Sequence, residues 1–177
     1  MDFVEVMKSF VLNPSEETLA PLQAEIMAAA NYDPLVLFES VVSPLMDSGN
    51  HQGAVDAVWR MLPGAFLSPT AHAMLAHSYD RLGDEKAAQR ETKFARLALD
   101  ALMSSGDGTQ DAPYQVLRVS DEYDVLRYVQ RTSVAQRVVV VDGQGYDVHQ
   151  CSDGSEVWFK LLWQTSWAKG PQRHHLP

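Results

Sequence analysis

The sequence predicts an α+β fold, with three pairs of helices followed by a small β-α-β-β-β module. Three observations carry this. Shifted by 34 residues, the stretch 1–102 repeats itself: Ala20, Ala54 and Ala88 align, as do Ser15, Gly49 and Gly83, and Met7, Val41 and Leu75. From Tyr114 onward the apolar period drops to two, as in half-buried strands. Asp153-Gly154 and Asp142-Gly-Gln-Gly145 then fall between short apolar runs, where hairpin turns belong.

The clearest helical unit begins at Ser68, which caps a helix whose first turn accepts Pro69. Leu75, Tyr79 and Leu82 keep helical spacing, and Gly83 supplies the left-handed residue that closes it. Asp84 opens the next helix, with Ala87, Ala88, Phe94 and Ala95 on its buried side. One unit earlier, Phe38, Val41, Gly49 and Ala54 hold the same positions. The first unit has Ser15 in place of the turn glycine and Pro21 inside or at the start of its second helix. Pro34, Pro63 and Pro69 punctuate the joins, and most of the methionines fill core. A 34-residue period with a small residue early in the second helix resembles the tetratricopeptide repeat. Its units would be 1–34, 35–68 and 69–102, and a degenerate first unit is what a terminal repeat without an outer neighbour implies.

After Leu102 the Ser104-Ser-Gly-Asp-Gly-Thr-Gln-Asp-Ala-Pro113 stretch ends the last helix, with Gly106 as its expected C-cap. Asp107 and Asp111 lack the spaced oxygen ligands of a calcium loop, so a linker turn is expected. Tyr114–Val119 reads as a strand and Ser120–Val129 as a helix capped by Ser120 with acids in its first turn. Val134–Val141 reads as a strand whose Val138–Val141 run is apolar on both faces, and therefore central and covered on both. Tyr146–Cys151 and Glu156–Trp163 follow, joined by Asp153-Gly154 as a two-residue turn, the Asp142–Gly145 connection being looser. A module of this size is too small to be comfortably stable alone and is expected to dock on the helices through the valine run. The expected divisions are 1–105, 106–165 and a tail, 166–177.

The pieces Ser104-Ser-Gly-Asp-Gly108 and Glu122-Tyr-x-Val-Leu126, with Tyr114-Gln-Val and Asp147-Val, resemble a family of bacterial proteins classed as a domain of unknown function. That resemblance implies a repeat-like helical half before this module, and it brings no catalytic or binding residues.

The net charge of −9 lies entirely in residues 1–112, while residues 113–177 are neutral. An acidic body disfavours nucleic acid and anionic membrane as partners. The chain opens Met1-Asp-Phe-Val-Glu5 without a basic leader and holds no long apolar run, so neither a secretory signal nor a membrane span is expected. Cytoplasm is the expected compartment. Cys151, the single cysteine, excludes an internal disulfide and a finger-type zinc site. It has no adjacent His and reads as a structural thiol. No nucleotide loop, G-x-S-x-G or HExxH motif occurs, so no catalytic residues, metal or cofactor are expected. His72 and His77, five apart, do not share a helix face; His72 reads as a core residue and His77 as groove-facing.

Two functions remain: a non-catalytic protein- or peptide-binding adaptor, and a small acidic inhibitor or immunity-type protein that blocks a basic enzyme or toxin. By resemblance to tetratricopeptide repeats, the groove positions include Glu5 and Ser9 in the first unit. They continue with Glu39, Ser43, Met46 and Asp47 in the second and His77, Asp80 and Arg81 in the third. With Arg81 the only fixed cation among them, the expected ligand is a basic or neutral segment with an apolar anchor. The tail, Trp163 to Pro177, holds two Trp, two basic residues and two His; it folds back on the acidic body, binds a partner or frays.

Overall fold

The computed structural model describes residues 2–164. Six helices come first: α1 (Phe3–Leu12), α2 (Glu16–Ala28), α3 (Phe38–Asp47), α4 (His51–Met61), α5 (Pro69–Arg81) and α6 (Glu85–Ser104). Then follow β1 (Tyr114–Val116), α7 (Val119–Tyr128), β2 (Ser133–Val141), β3 (Gln144–Cys151) and β4 (Glu156–Leu161). The α+β class and the β-α-β-β-β order are as the sequence predicts. Among the described residues, no helix is long and apolar enough to cross a membrane.

The α3–α4 and α5–α6 pairs turn in the same way, bond for bond. Gly49 and Gly83 both adopt left-handed backbone, with φ of 77° and 79°. Gly49 N–H donates to the Met46 carbonyl and Asn50 N–H to Leu45, as Gly83 N–H does to Asp80 and Asp84 N–H to Tyr79. The Asn50 and Asp84 side chains then cap the next helices by accepting from Gly53 and Ala87 N–H at 3.0 and 2.9 Å. A Cβ at Gly83 would meet no atom within 4 Å, so a side chain there is opposed by backbone conformation alone. Gly83→Val should cost about 1–2 kcal/mol and Gly83→Asn less. Equal urea midpoints for both variants and the parent chain would remove this turn from the account.

Phe38, Val42, Ala54, Val58 and Leu75 fill the space between α3, α4 and α5. His72 is buried between α5 and α6, where its Nε2–H donates to the Phe66 carbonyl at 2.6 Å and Nδ1 lies 2.8 Å from Glu91. Burial alone would raise the Glu91 carboxyl, but hydrogen bonds from His72 and Arg90 hold it below the ordinary range. His72 is thus a satisfied core residue. The α1–α2 pair has no extended packing against α3. Its Val6, Phe10, Leu22 and Ile26 instead meet Phe66 and Leu67 before α5, Phe94 and Leu97 on α6, and Leu117 after β1. Pro21 sits inside α2, on its solvent side.

The sheet order is β1-β4-β3-β2, with β1 parallel to β4 and the other pairs antiparallel. Val125 and Leu126 of α7 and Leu102 of α6 cover one face, against Val116, Phe159 and Leu161. Four expectations need correction. The valine run is not central. β1 joins β4 at the far side and leaves β2 as the outer strand, with Val138 59% exposed and Val140 and Val141 also open to solvent. The tight turn is Asp142-Gly143, both at positive φ with Val141 paired to Gln144, whereas Asp153-Gly154 sits in a longer loop closed by Cys151 N–H to the Ser155 carbonyl. α7 starts one residue early, at Val119 after Arg118, and the acids in and after its first turn, Asp121, Glu122 and Asp124, are buried. Ser105, not Gly106, is the C-cap of α6. Gly106 is needed because a Cβ there would strike the Pro113 and Ala112 carbonyls.

The module meets the helices through the β1–α7 connection, not the valines. Tyr32 O–H donates to the Leu117 carbonyl at 2.5 Å, and Val119 N–H donates to the Pro34 carbonyl at 3.0 Å. Arg118, fully buried, donates to the Gly64 carbonyl and lies 3.5 Å from Asp121. Thr70, at the start of α5, donates its hydroxyl to Asp124 at 2.7 Å. The tail residues 166–177 lie outside the described residues.

Candidate functional site

The nine residues assigned to a groove fall on three helices. Glu39, Ser43, Met46 and Asp47 lie on α3, and His77, Asp80 and Arg81 on α5, which packs against α3. Ser43 and Met46 are half-buried and the other five are exposed. Glu5 and Ser9 are exposed on α1, which has no extended packing against α3 or α5, so they are not gathered with the other seven. His77 has an unforeseen neighbour: the His51 ring, 5.9 Å away at the start of α4. A cleft of about 430 Å³ between the α1–α2 turn and the end of α6 is lined by Phe10, Leu19, Gln23, Leu97 and Gln115, and by none of the nine.

A second arrangement lies inside the module. Side chains alternate along β3, so Asp147 and His149 point to the face that α7 covers, while Tyr146 and Val148 point away. On α7, Glu122 precedes Val125 and Leu126 by three and four residues and therefore shares their buried stripe. His149 Nε2 lies 2.7 Å from Glu122 Oε2, and Nδ1 lies 2.8 Å from Ser133 Oγ at the start of β2. Gln136, further along β2, donates to Asp147 Oδ2 at 2.8 Å. The rings of Tyr123 and Phe159 stand edge-on to the His149 imidazole at 5.5 and 5.3 Å.

Burial pushes the Glu122 carboxyl up to about 10, helped by the charge of Asp147, a hydrogen bond between the two acids, and the charge of Asp121. Burial also lowers the His149 pKa, against the opposing charge of Asp147. The partners that each atom faces then assign the protons. Ser133 O–H is shared between Nδ1 and the Ala135 carbonyl at 3.3 Å, Nε2–H donates to Glu122, and Glu122 O–H donates to Asp147, which Gln136 meets from the other side. Glu122 Oε1 and Asp147 Oδ1 are both buried and have no other partner among the described residues. One proton serves two carboxyl groups, and both ends of the chain are on β2.

Ser, His and an acid in this order also make up a nucleophilic relay. Here His149 has no solvent-exposed surface, and burial holds the Glu122 carboxyl far above the range of the ionised acid in such a relay. The arrangement is a clasp joining α7, β3 and β2. Cys151 is buried in the same core. Asp107 Oδ1 accepts from Thr109 N–H at 2.9 Å and from its hydroxyl at 2.7 Å, closing a local turn. Among the described residues, no three metal-ligating side chains converge.

The two distinctive sequence pieces thus have separate roles. In Ser104-Ser-Gly-Asp-Gly108, Ser105 Oγ accepts from Gln115 N–H at 2.9 Å and the Gly108 carbonyl accepts from Trp158 N–H at 2.8 Å, fastening α6 to the sheet. Glu122-Tyr-x-Val-Leu126 supplies the acid of the clasp and two core residues.

Comparison with known proteins gives one match, to the family described as Domain of unknown function (DUF4919), over residues 43–161, about two thirds of the chain. No curated protein and no solved structure matches.

Proposed function

The chain belongs to the DUF4919 family, and from that premise we propose that it is a non-catalytic protein-binding adaptor whose ligand lies along α3 and α5. The observation that supports this reading is that α3 packs on α5, the two helices that carry exposed Glu39, Asp47 and Asp80, half-buried Met46, and exposed His77 and Arg81. The matching turns at Gly49 and Gly83, 34 residues apart, support reading α3–α6 as two tetratricopeptide-like hairpins. The partner is a basic or neutral protein segment with an apolar anchor for Met46. Charge sets the rate of encounter and apolar contact the lifetime. A cytoplasmic setting fits the single buried thiol.

The test compares the parent chain with a Glu39→Lys/Asp80→Lys variant. A partner captured from the native host is identified, purified and titrated at two salt concentrations. Binding should weaken at least tenfold at low salt, with a shallower salt dependence and an unchanged melting curve. Equal affinity and salt slope would sink the reading. A captured partner that is a basic enzyme silenced on binding would turn the adaptor into an inhibitor using the same surface.

A further inference from the structure

We propose that β2 is where two copies of this chain join, edge to edge across a two-fold axis, making one eight-stranded sheet from two of four. Among the described residues the outer side of β2 pairs with no other strand, and the strand is long for an edge, Ser133 to Val141. Natural edges are usually blunted by lysine, proline or inward charge. β2 has no lysine and no proline, and its one charge, Arg137, is tied at 2.8 Å to Glu156 of the same sheet. The bulge between Ser133 and Ala135 disturbs only its beginning.

A second copy fits this edge for two reasons. Exact two-fold antiparallel pairing keeps each face of the sheet continuous, so every residue meets one of its own parity. Centred on Val139, that pairing sets Val138 of each copy opposite Val140 of the other, with Val139 on the axis. Arg137 then stands opposite Val141. Facing valines are good cross-strand pairs, and the run satisfies both partners at once. Charge is the second reason. The charge of −9 lies in residues 1–112, while residues 113–164 hold seven acidic and five basic residues, so the module is the less charged end by which two such acidic molecules can approach. An edge pairing of this length buries less than a standard stable interface, which predicts a reversible dimer of micromolar strength. This interface is separate from the α3–α5 surface and does not depend on it.

Sedimentation of the full chain from low micromolar to submillimolar concentration should pass from monomer to dimer. Amide exchange along Arg137–Val141 should slow as concentration rises. Val138→Lys/Val140→Lys, at two exposed positions, should raise the dissociation constant more than tenfold with the melting temperature kept. Val138→Thr/Val140→Thr, which preserves strand preference should the lysine variant fold poorly, should raise it several-fold. A monomer throughout the range would overturn the proposal, as would a dimer untouched by both variants. So would a monomer that takes an extended foreign peptide along β2.

Discussion

Arg118→Met should destabilise the chain by about 3–5 kcal/mol at neutral pH, the range for removing one partner of a buried ion pair. The guanidinium is enclosed at the junction, where it bonds the Gly64 carbonyl, faces Asp121 and stands 5.9 Å from the Tyr32 ring. Without it Asp121, itself fully buried, keeps only backbone partners, the N–H groups of residue 118 and of Leu117, the latter at 3.1 Å. Burial already raises the Asp121 carboxyl to about 6, with Arg118 the largest influence pulling it down. Removing Arg118 therefore raises it further, and the deficit should shrink as pH falls and Asp121 takes a proton. Adding Asp121→Asn, which keeps the acceptor for Leu117 without the charge, should restore much of the loss. Urea melts of the two single variants and the double at pH 7 and pH 5 decide it. A loss below 1 kcal/mol, or one that grows on acidification, would mean that the arginine is not what neutralises Asp121.

The second large effect is a pH slope. Glu122 is held near 10 in the fold, against about 4.3 for a free glutamate. Between those values the folded chain keeps a proton that the unfolded chain has released. The stabilisation is fully present below the unfolded value and is lost as pH rises through the folded one, at about 1.4 kcal/mol per unit. From pH 7 to 9 the parent chain should lose about 2–3 kcal/mol. His149 works in the opposite sense: burial lowers its folded pKa, so its cost appears only below about 6.5, outside this window. Glu122→Gln should remove the slope and be at least as stable as the parent at pH 7. The amide still donates to Asp147 and accepts from His149. A variant that is markedly weaker, with the slope retained, would make Glu122 an ionised partner of a charged imidazole instead.

The helical half was legible because its determinants are local. Gly49 and Gly83, the caps Asn50 and Asp84, and the alanines between them act within a turn or two of chain. The clasp was not, since Glu122 and His149 are 27 residues apart and each looks ordinary in its own segment. A signal was present: Glu122 falls on the Val125–Leu126 stripe, where an acid has no business unless something meets it. The valine run misled for a different reason. Four apolar residues in a row suit a strand covered on both faces, yet here the strand is the outer one and Val138, Val140 and Val141 stand open to solvent.

The α1–α2 pair has a consequence in time. Its apolar face is completed by Phe66, Phe94 and Leu117, with Leu162 at its margin, all made long after it. At synthesis rates of roughly 5–20 residues per second, Leu22 and Ile26 wait roughly 5–20 s for Leu117, the last fully buried residue of that cover. During that interval the apolar face of α1 and α2 stands open. The hydroxyl of Tyr32, which finds its carbonyl only at Leu117, records the moment at which the wait ends.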